Sequence, residues 1–296
     1  MDISKTNVKD TALIFEGGGM RGVFTAAIAN ILNENEIFFD YVAGISAGSS
    51  NTVNYISRDI ERTKKSYIDI VDDPNFGGIK TFLRNEGFFN SSYIYEEWGL
   101  PNGAAPFNME NFLLNPAKFK IGTFNINTGK TVYWGREYAN SIDRLMKVVR
   151  ASSSMPFFMP KTEIEGELYY DGGLGGGIPL DIAQRDGYEK FFIVRTRKKD
   201  YRKEPMTKAE SFLLKTYFKK YPQVYKAMEI RYLNYNNTLD EISKLEREGR
   251  AFVVYPEEMF VENKDTDKEK LVRMYNLSYG QGLKEVENWK DFLKLN

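Results

Sequence analysis

The sequence predicts an α/β fold with a mostly parallel central sheet and a helical C-terminal region. Two short apolar runs, residues 11–16 and 41–45, each end in a glycine-containing turn that leads into a helix-like segment. A strand, a turn and a helix repeated in this order are typical of a parallel sheet with helical crossovers. After about residue 198, Lys and Glu become more frequent and long helical patterns follow one another. We therefore expect an α/β domain over residues 1–198 and a helix-rich extension over residues 199–296 packed on it.

Hydrophobic periodicity predicts the individual elements. Apolar residues recur three and four positions apart after Phe24, which predicts a helix that ends near Asn33. Residues 47–56 predict a second helix, and the run Asn-Thr-Gly-Lys at residues 127–130 predicts the turn of a β-hairpin. The remaining predicted elements are strands over residues 120–125, 131–134, 168–170, 191–195 and 251–255, and helices over residues 142–151, 208–217, 225–248 and 267–292.

The composition excludes several classes of site. Among the 296 residues, 41 Lys and Arg balance 41 Asp and Glu, so no net positive charge attracts a nucleic-acid backbone. The chain has neither Cys nor His, which excludes disulfides and the usual zinc ligands and agrees with a reducing compartment. It also has no Asp-x-Asp-x-Asp-Gly calcium loop. We expect no cofactor, no metal ion and no nucleic-acid partner, and the sequence leaves the oligomeric state open.

The sequence also bears on localisation. Residues 1–10 carry four charges and no apolar run, unlike a secretory signal. The longest suggestive uncharged stretch, residues 151–160, is much shorter than the ~20 residues that a membrane-spanning helix needs. We expect a cytoplasmic protein, with peripheral contact to a membrane surface as a further option.

A serine lies where a strand is predicted to turn sharply into a helix. Ser46 is the centre of the pentapeptide Gly-Ile-Ser-Ala-Gly, whose glycines are Gly44 and Gly48. This pattern is typical of a nucleophile elbow, in which the serine hydroxyl is held at the tip of the turn. A serine needs a base to accept its proton, and the usual base, histidine, is absent from the chain. The pattern therefore leaves two alternatives: a nucleophile served by a carboxylate, or a turn whose glycines only make it tight.

A glycine-rich run follows the first predicted strand. Gly17, Gly19 and Gly22 have the spacing of a dinucleotide-binding fingerprint, which also requires an acidic residue at the carboxyl end of the second strand. That position is occupied by the Ser46 turn, and the nearest acid, Asp40, precedes the strand. The alternative is that the amides of this run stabilise an oxyanion next to Ser46. A tight turn without a ligand is the third interpretation.

A carboxylate begins a second glycine-rich run. Asp171 follows the predicted strand over residues 168–170 and precedes Gly172 and Gly173. An acid at the end of a strand, in a loop that can approach other backbone closely, is well placed to act as a general base. The alternative is a turn in which the Asp171 side chain only caps the strand.

The glycine run, the serine pentapeptide and the Asp-Gly-Gly turn, in this order, resemble the motifs of the patatin-like phospholipases. Residues 150–156, Arg-Ala-Ser-Ser-Ser-Met-Pro, are also similar to a segment of that family. The resemblance covers roughly residues 11–197. It implies a three-layer α/β/α fold and a lipid acyl hydrolase with a Ser–Asp dyad and no catalytic histidine. The C-terminal part resembles the extension of one bacterial subgroup.

The resemblance also implies roles for individual residues. Ser46 would be the nucleophile and Asp171 the base, and Gly18 and Gly19 would donate to the oxyanion. Arg21 matches the basic position of the glycine-rich loop. The chain departs from the family at the Asp-Gly-Gly turn, where Asp-Gly-Ala is commoner, and we expect this difference to have little effect.

The expected function is metal-independent hydrolysis of carboxylic esters of phospholipids, lysophospholipids or neutral lipids. One alternative is a catalytically silent lipid-binding or scaffold protein of the same fold, and a less favoured one is a nucleotide-binding α/β protein. Two aromatic segments, residues 88–107 and 155–160, are candidates for an acyl-chain groove or a membrane-contacting surface. Ordinary packing onto the core is the alternative for both segments.

Overall fold

The structure, a computed structural model that describes residues 2–295, contains one mixed sheet with helices on both faces. Met1 and Asn296, the outer limits of the two predicted domains, lie outside the described residues. The strands are β1 (Thr11–Phe15), β2 (Tyr41–Ile45), β3 (Lys118–Asn125), β4 (Thr131–Trp134), β5 (Thr162–Ile164), β6 (Glu167–Asp171), β7 (Lys190–Val194) and β8 (Ala251–Val254).

The helices include every helix that the periodicity predicts, with ends that differ by a few residues. They are α1 (Gly22–Glu34), α2 (Ala47–Ser57), α3 (Ile60–Lys65), α4 (Ile79–Leu83), α5 (Ser91–Glu96), α6 (Met109–Leu114), α7 (Ile142–Ser153), α8 (Leu180–Arg185), α9 (Lys208–Tyr217), α10 (Pro222–Arg247) and α11 (Lys268–Leu293). Helices α3 to α6, helix α8 and strand β5 were not predicted, because elements of three to six residues are too short to show a clear period.

The strand order is β5-β6-β3-β2-β1-β7-β8, with β4 paired to β3. Strands β3, β2, β1, β7 and β8 run parallel, whereas β4 and β6 run antiparallel to β3 and β5 antiparallel to β6. The predicted mostly parallel sheet is thus confirmed. The two strands that precede the glycine run and the Ser46 turn, β1 and β2, are direct neighbours, so both turns lie at one edge of the sheet.

The side chains of β1 alternate between two separate cores. Leu13 and Phe15 pack with residues of α1, α2 and α11, whereas Ala12 and Ile14 pack with residues of α8 and α10 on the opposite face. Because successive residues of a strand point to opposite faces, this alternation gives a helix layer on each side of the sheet. The predicted three-layer α/β fold is therefore confirmed.

The C-terminal region shares the sheet and the core of the preceding residues. Strand β8 pairs in parallel with β7, and α11 packs along α1, where the Asn30 amide donates to the Tyr275 hydroxyl at 2.7 Å. The boundary near residue 198 stays a prediction. Among the described residues, none of the helices combines the length and the apolar composition that crossing a membrane requires.

Candidate active site

Ser46 occupies a strained turn between β2 and α2. Its backbone has φ 58° and ψ −128°, a region that non-glycine residues rarely adopt. The strain is held in place by neighbouring bonds, because the Ser46 amide donates to the Ser152 hydroxyl at 2.9 Å and the Ser46 carbonyl accepts from Ser49. The turn therefore has the geometry of a nucleophile elbow, with the serine side chain at its tip.

The Ser46 hydroxyl donates a hydrogen bond to Asp171 Oδ2 over 2.7 Å. The sheet register explains how residues 125 positions apart meet. Ile45 pairs with Gly122 on β3, and the next residue, Thr123, pairs with Asp171 on β6. Both side chains are almost inaccessible to solvent, since Ser46 is 6% exposed and Asp171 is 5% exposed.

Asp171 is held rigidly at the end of β6. Its second carboxylate oxygen, Oδ1, accepts from the Gly173 amide at 2.6 Å, and its own amide donates to the Ser154 carbonyl at 2.9 Å. Burial raises the pKa of Asp171 above its usual value, although the hydrogen bonds from Ser46 and Gly173 oppose this rise. A carboxylate with a raised pKa is a stronger base than an exposed aspartate.

The glycine run provides two amides beside Ser46. Among residues 2–295, the amides of Gly18 and Gly19 donate to no protein acceptor, and both residues line the cavity that contains Ser46. Gly19 has φ +56°, and a Cβ there would collide with the carbonyl oxygen of Asn263. A glycine is therefore required at this position, and Asn263 fixes the run by accepting from the Met20 amide at 3.1 Å.

The other residues singled out from the sequence lie around these groups. Arg21 follows the two free amides and lines the same cavity. The remaining glycines allow close packing: Gly17 against Ile45, Gly22 against the side chains of Tyr67 and Ala47, Gly44 against Gly48, Gly48 against Phe15 and Gly172 against Gly122. The structure thus brings all three glycine-containing motifs together at one edge of the sheet.

An apolar cavity extends from Ser46 into the helix layer. It encloses about 760 Å³ of space outside protein atoms, part of it open to solvent. Apolar and aromatic side chains dominate its wall, as in sites for apolar ligands. From the two aromatic segments, the wall includes Phe89, Ile94, Tyr95, Trp98, Met155 and Met159. Phe107 is instead 5% exposed and packs against Phe112, so the first segment divides between the cavity and the core. In the second segment, residues 155–158 line a further cavity at Ser46.

A second cavity also contains Ser46 and is more polar than the first, although Met155, Phe157 and Phe158 line part of it. Its wall includes Gly18, Gly19 and Asp171 together with four basic side chains, those of Arg21, Arg197, Lys203 and Arg231. We call this cavity the cationic chamber. In contrast, no cluster of acidic side chains within the described part of the chain has the size to hold a metal ion.

Several residues of this site were not predicted. Ser152 lies in the Arg-Ala-Ser-Ser segment, and the similarity of this segment to the family was the one sequence feature that could have indicated a role for it. Arg197 follows β7 and therefore lies at the same sheet edge as the glycine run. Arg231 and Asn263 carry no local sequence signal, because charged residues on a helix usually face solvent. Arg231 instead lines the cationic chamber and donates to the Gly173 carbonyl at 2.6 Å.

Comparison with known proteins identifies two matching families. The family model for patatin-like phospholipase matches residues 13–183, which is more than half of the chain. A second family model, for a domain of unknown function (DUF6363), matches residues 221–294. The first match includes Ser46 and Asp171, and the second includes Arg231 and Asn263.

Two individual proteins are similar to this chain. The uncharacterized protein YjjU of Escherichia coli (strain K12) is 26% identical over 196 residues, which cover 62% of this chain and 51% of YjjU. The chain thus spans about half the length of this curated relative. The crystal structure of VipD from Legionella pneumophila superimposes with a TM-score of 0.50 at 12% identity, covering 94% of this chain and 67% of VipD, which indicates a shared fold.

Proposed function

This chain belongs to the patatin-like phospholipase family, and we propose that it is a serine lipid acyl hydrolase with a Ser46–Asp171 dyad. The observation that carries the proposal is the 2.7 Å hydrogen bond from the Ser46 hydroxyl to a buried carboxylate. Because the chain has no histidine, this carboxylate, which already accepts the hydroxyl's hydrogen bond, is the base that we assign to the serine proton.

The first step is acyl transfer to Ser46. The Ser46 oxygen attacks the ester carbonyl while its proton passes to Asp171 Oδ2, and the raised pKa of Asp171 favours this transfer. The carbonyl oxygen becomes negatively charged, and the amides of Gly18 and Gly19 donate to it. Collapse of this intermediate releases the alcohol, which takes the proton from Asp171, and leaves the acyl group on Ser46.

The second step is hydrolysis of the acyl-enzyme. Asp171, again a carboxylate, accepts a proton from a water molecule that attacks the acyl carbonyl. The same two amides stabilise the second oxyanion. Release of the carboxylic acid returns the proton to Ser46, so the cycle needs no metal ion and no cofactor.

The apolar cavity supports a lipid as the source of the acyl group. It begins at Ser46 and is lined largely by side chains such as Phe76, Phe89, Val149 and Met155. An acyl chain bound there would bury its apolar surface and hold the ester carbonyl next to Ser46.

Covalent labelling tests the nucleophile. A fluorophosphonate probe should modify Ser46, as located by mass spectrometry of the digested protein, and Ser46→Ala should remove both labelling and ester hydrolysis. Ser57→Ala is the matched control. Ser57 is buried at the far end of α2, and its hydroxyl donates to the Asn54 carbonyl at 3.0 Å. Undiminished hydrolysis by Ser46→Ala across a panel of short-chain and phospholipid esters would refute the proposal.

A further inference from the structure

The cationic chamber brings together basic side chains from distant parts of the chain. Arg21 follows β1, Arg197 follows β7, Lys203 lies before α9, and Arg231 projects from α10. Each is partly buried. Their convergence in one cavity needs an explanation, because like charges repel one another and lose hydration when buried.

Within residues 2–295, none of the four basic side chains forms an ion pair with Asp or Glu. The two carboxylates that line the chamber are engaged elsewhere. Glu16 accepts from the Arg195 guanidinium at 2.9 Å and from the Thr196 amide at 2.6 Å, whereas Asp171 accepts from Ser46 and Gly173.

Burial and mutual repulsion lower the pKa of two of these basic groups. Burial, together with the positive charges of Arg231 and Arg197, lowers the pKa of Lys203 to about 8. Burial and the charge of Arg197 lower the pKa of Arg21 to about 10, and the Nε atom of Arg21 is buried without a hydrogen-bond partner among the described residues. An anion entering the chamber would relieve both the repulsion and the unpaired donor.

The Arg231 guanidinium lies close to Gly173. A Cβ at this position would lie 3.1 Å from Arg231 Nη2 and 2.8 Å from Asp171 Oδ1, both tighter than ordinary contacts. The Asp-Gly-Gly turn therefore leaves room for a cation from α10 directly beside the carboxylate of the dyad. The difference from Asp-Gly-Ala, which we expected to have little effect, coincides with this contact.

The position of the chamber relative to Ser46 indicates which part of a substrate it faces. The apolar cavity and the cationic chamber share Ser46, Gly19, Met155 and Asn263, and the rest of their walls are formed by different residues. If the acyl chain occupies the apolar cavity, the alcohol portion of the ester lies in the chamber.

We propose that the cationic chamber binds a phosphate group on the alcohol portion of the substrate, so that the preferred substrates are acyl esters of phosphorylated alcohols such as glycerol phosphate. Several cations, three of them arginines, suit a phosphate, which offers more charge and more acceptor oxygens than a carboxylate. A quaternary ammonium headgroup would meet four like charges. The inference rests on the proposed function, and it assigns a role in substrate recognition to Arg231 of the domain of unknown function.

The test compares two soluble esters that differ by one phosphate. One is a short-chain monoacylglycerol and the other is the same molecule phosphorylated at its free primary hydroxyl, both used below the concentration at which they aggregate. We expect the full chain to hydrolyse the phosphorylated ester with at least a tenfold higher kcat/KM. Lys203→Gln should lower this ratio about tenfold, because hydrogen bonds between charged groups are strong in a partly buried site.

Two further variants complete the comparison. Arg197→Gln, which should also lower the ratio, serves if Lys203→Gln fails to fold. Lys198→Gln is the matched control, because Lys198 is exposed and does not line the chamber, and its two kcat/KM values should equal those of the wild type. An equal kcat/KM for the two esters in the wild type, or a ratio that neither chamber variant changes, would overturn the proposal.

Binding measured without turnover separates this inference from the proposed function. Calorimetric titration of glycerol phosphate into Ser46→Ala should show saturable binding that Lys203→Gln weakens at least tenfold. No binding overturns the inference, whatever the hydrolysis assays give. Binding with no hydrolysis of either ester by the wild type supports the anion site and contradicts the hydrolase. Tighter binding of inorganic phosphate than of glycerol phosphate, with equal hydrolysis of both esters, overturns the headgroup assignment in favour of a free-phosphate site.

Discussion

The amide of Ser46 donates to the hydroxyl of Ser152, and this hydroxyl donates in turn to the Gly122 carbonyl at 2.6 Å. Ser152 is fully buried in the last turn of α7. Its hydroxyl therefore links the strained turn to the neighbouring strand β3, because it accepts from the backbone amide of the turn and donates to a backbone carbonyl of the strand.

Removal of this hydroxyl should weaken both the fold and the site. Ser152→Ala takes away the buried acceptor of the Ser46 amide and the bond to the Gly122 carbonyl, so we expect the free energy of unfolding to fall by about 1–3 kcal/mol. Ester turnover should fall about tenfold, because the turn loses a bond that fixes Ser46. Urea denaturation and steady-state kinetics measure the two effects. Ser57→Ala, the matched control, should change turnover little, and equal effects of the two variants would argue against a specific role for Ser152.

Replacement of the base tests the dyad directly. Asp171→Asn keeps the shape of the side chain but cannot accept the serine proton, so turnover should fall by about 10³-fold or more. The fold should persist, because an amide oxygen can still accept from the Gly173 amide. Ester turnover and the thermal melt of the same preparation are the measurements. A well-folded variant with wild-type turnover would show that another group acts as the base.

The raised pKa of Asp171 predicts opposite pH effects on activity and on stability. The carboxylate must be unprotonated to act as a base, so kcat/KM should fall on acidification with a midpoint above about 3.9, the usual aspartate value. For stability, a pKa that is higher in the folded than in the unfolded state means that the charged form opposes folding. Asp171→Asn should therefore be more stable than the wild type at neutral pH.

This gain in stability should disappear as the pH falls through the raised pKa towards the ordinary one, because wild-type Asp171 then becomes neutral in the folded protein as well. Denaturant titrations of wild type and variant across this pH range measure the difference. A variant that is less stable than the wild type at every pH would contradict the expected burial cost of the charge.

The glycine run should tolerate no side chain at residue 19. Gly19→Ala brings a Cβ onto the Asn263 carbonyl and requires φ +56° from a non-glycine residue, so we expect a loss of about 1–2 kcal/mol in stability and a much larger relative loss of activity. Gly280→Ala is the control, because this glycine lies within α11 and a Cβ there would meet only open space. That variant should be as active as the wild type and slightly more stable.

The sequence predicts the parts of the site that short segments encode. The turns at Gly17 and Ser46 follow apolar runs of strand length, and parallel pairing of β1 and β2 then brings them to one edge. The approach of Asp171 to Ser46 depends on the antiparallel register of β6 on β3, which no local pattern specifies. The family resemblance linked the two residues where periodicity could not.

The residues of the cationic chamber could not be predicted from local sequence patterns, for a related reason. The charged residues of α10 alternate with apolar ones, and nothing in the pattern distinguishes Arg231, which faces the chamber, from Arg247 at the end of the same helix. Which charged side chain turns inward depends on how α10 packs over the Asp171 turn, a tertiary relationship. The same limit applies to Asn263, whose role at the glycine run depends on a loop between β8 and α11.

The strand order also determines when the site can be assembled during protein synthesis. Strand β1 lies between β2, which follows it by about 30 positions in the sequence, and β7, which follows it by about 180 positions. Strand β8, which pairs with β7, is synthesised later than both. Ser46 thus leaves the ribosome long before Asp171, Arg231 and Asn263. A nascent chain would carry Ser46 without Asp171 or the groups that fix the glycine run, so the proposed hydrolysis would await nearly complete translation.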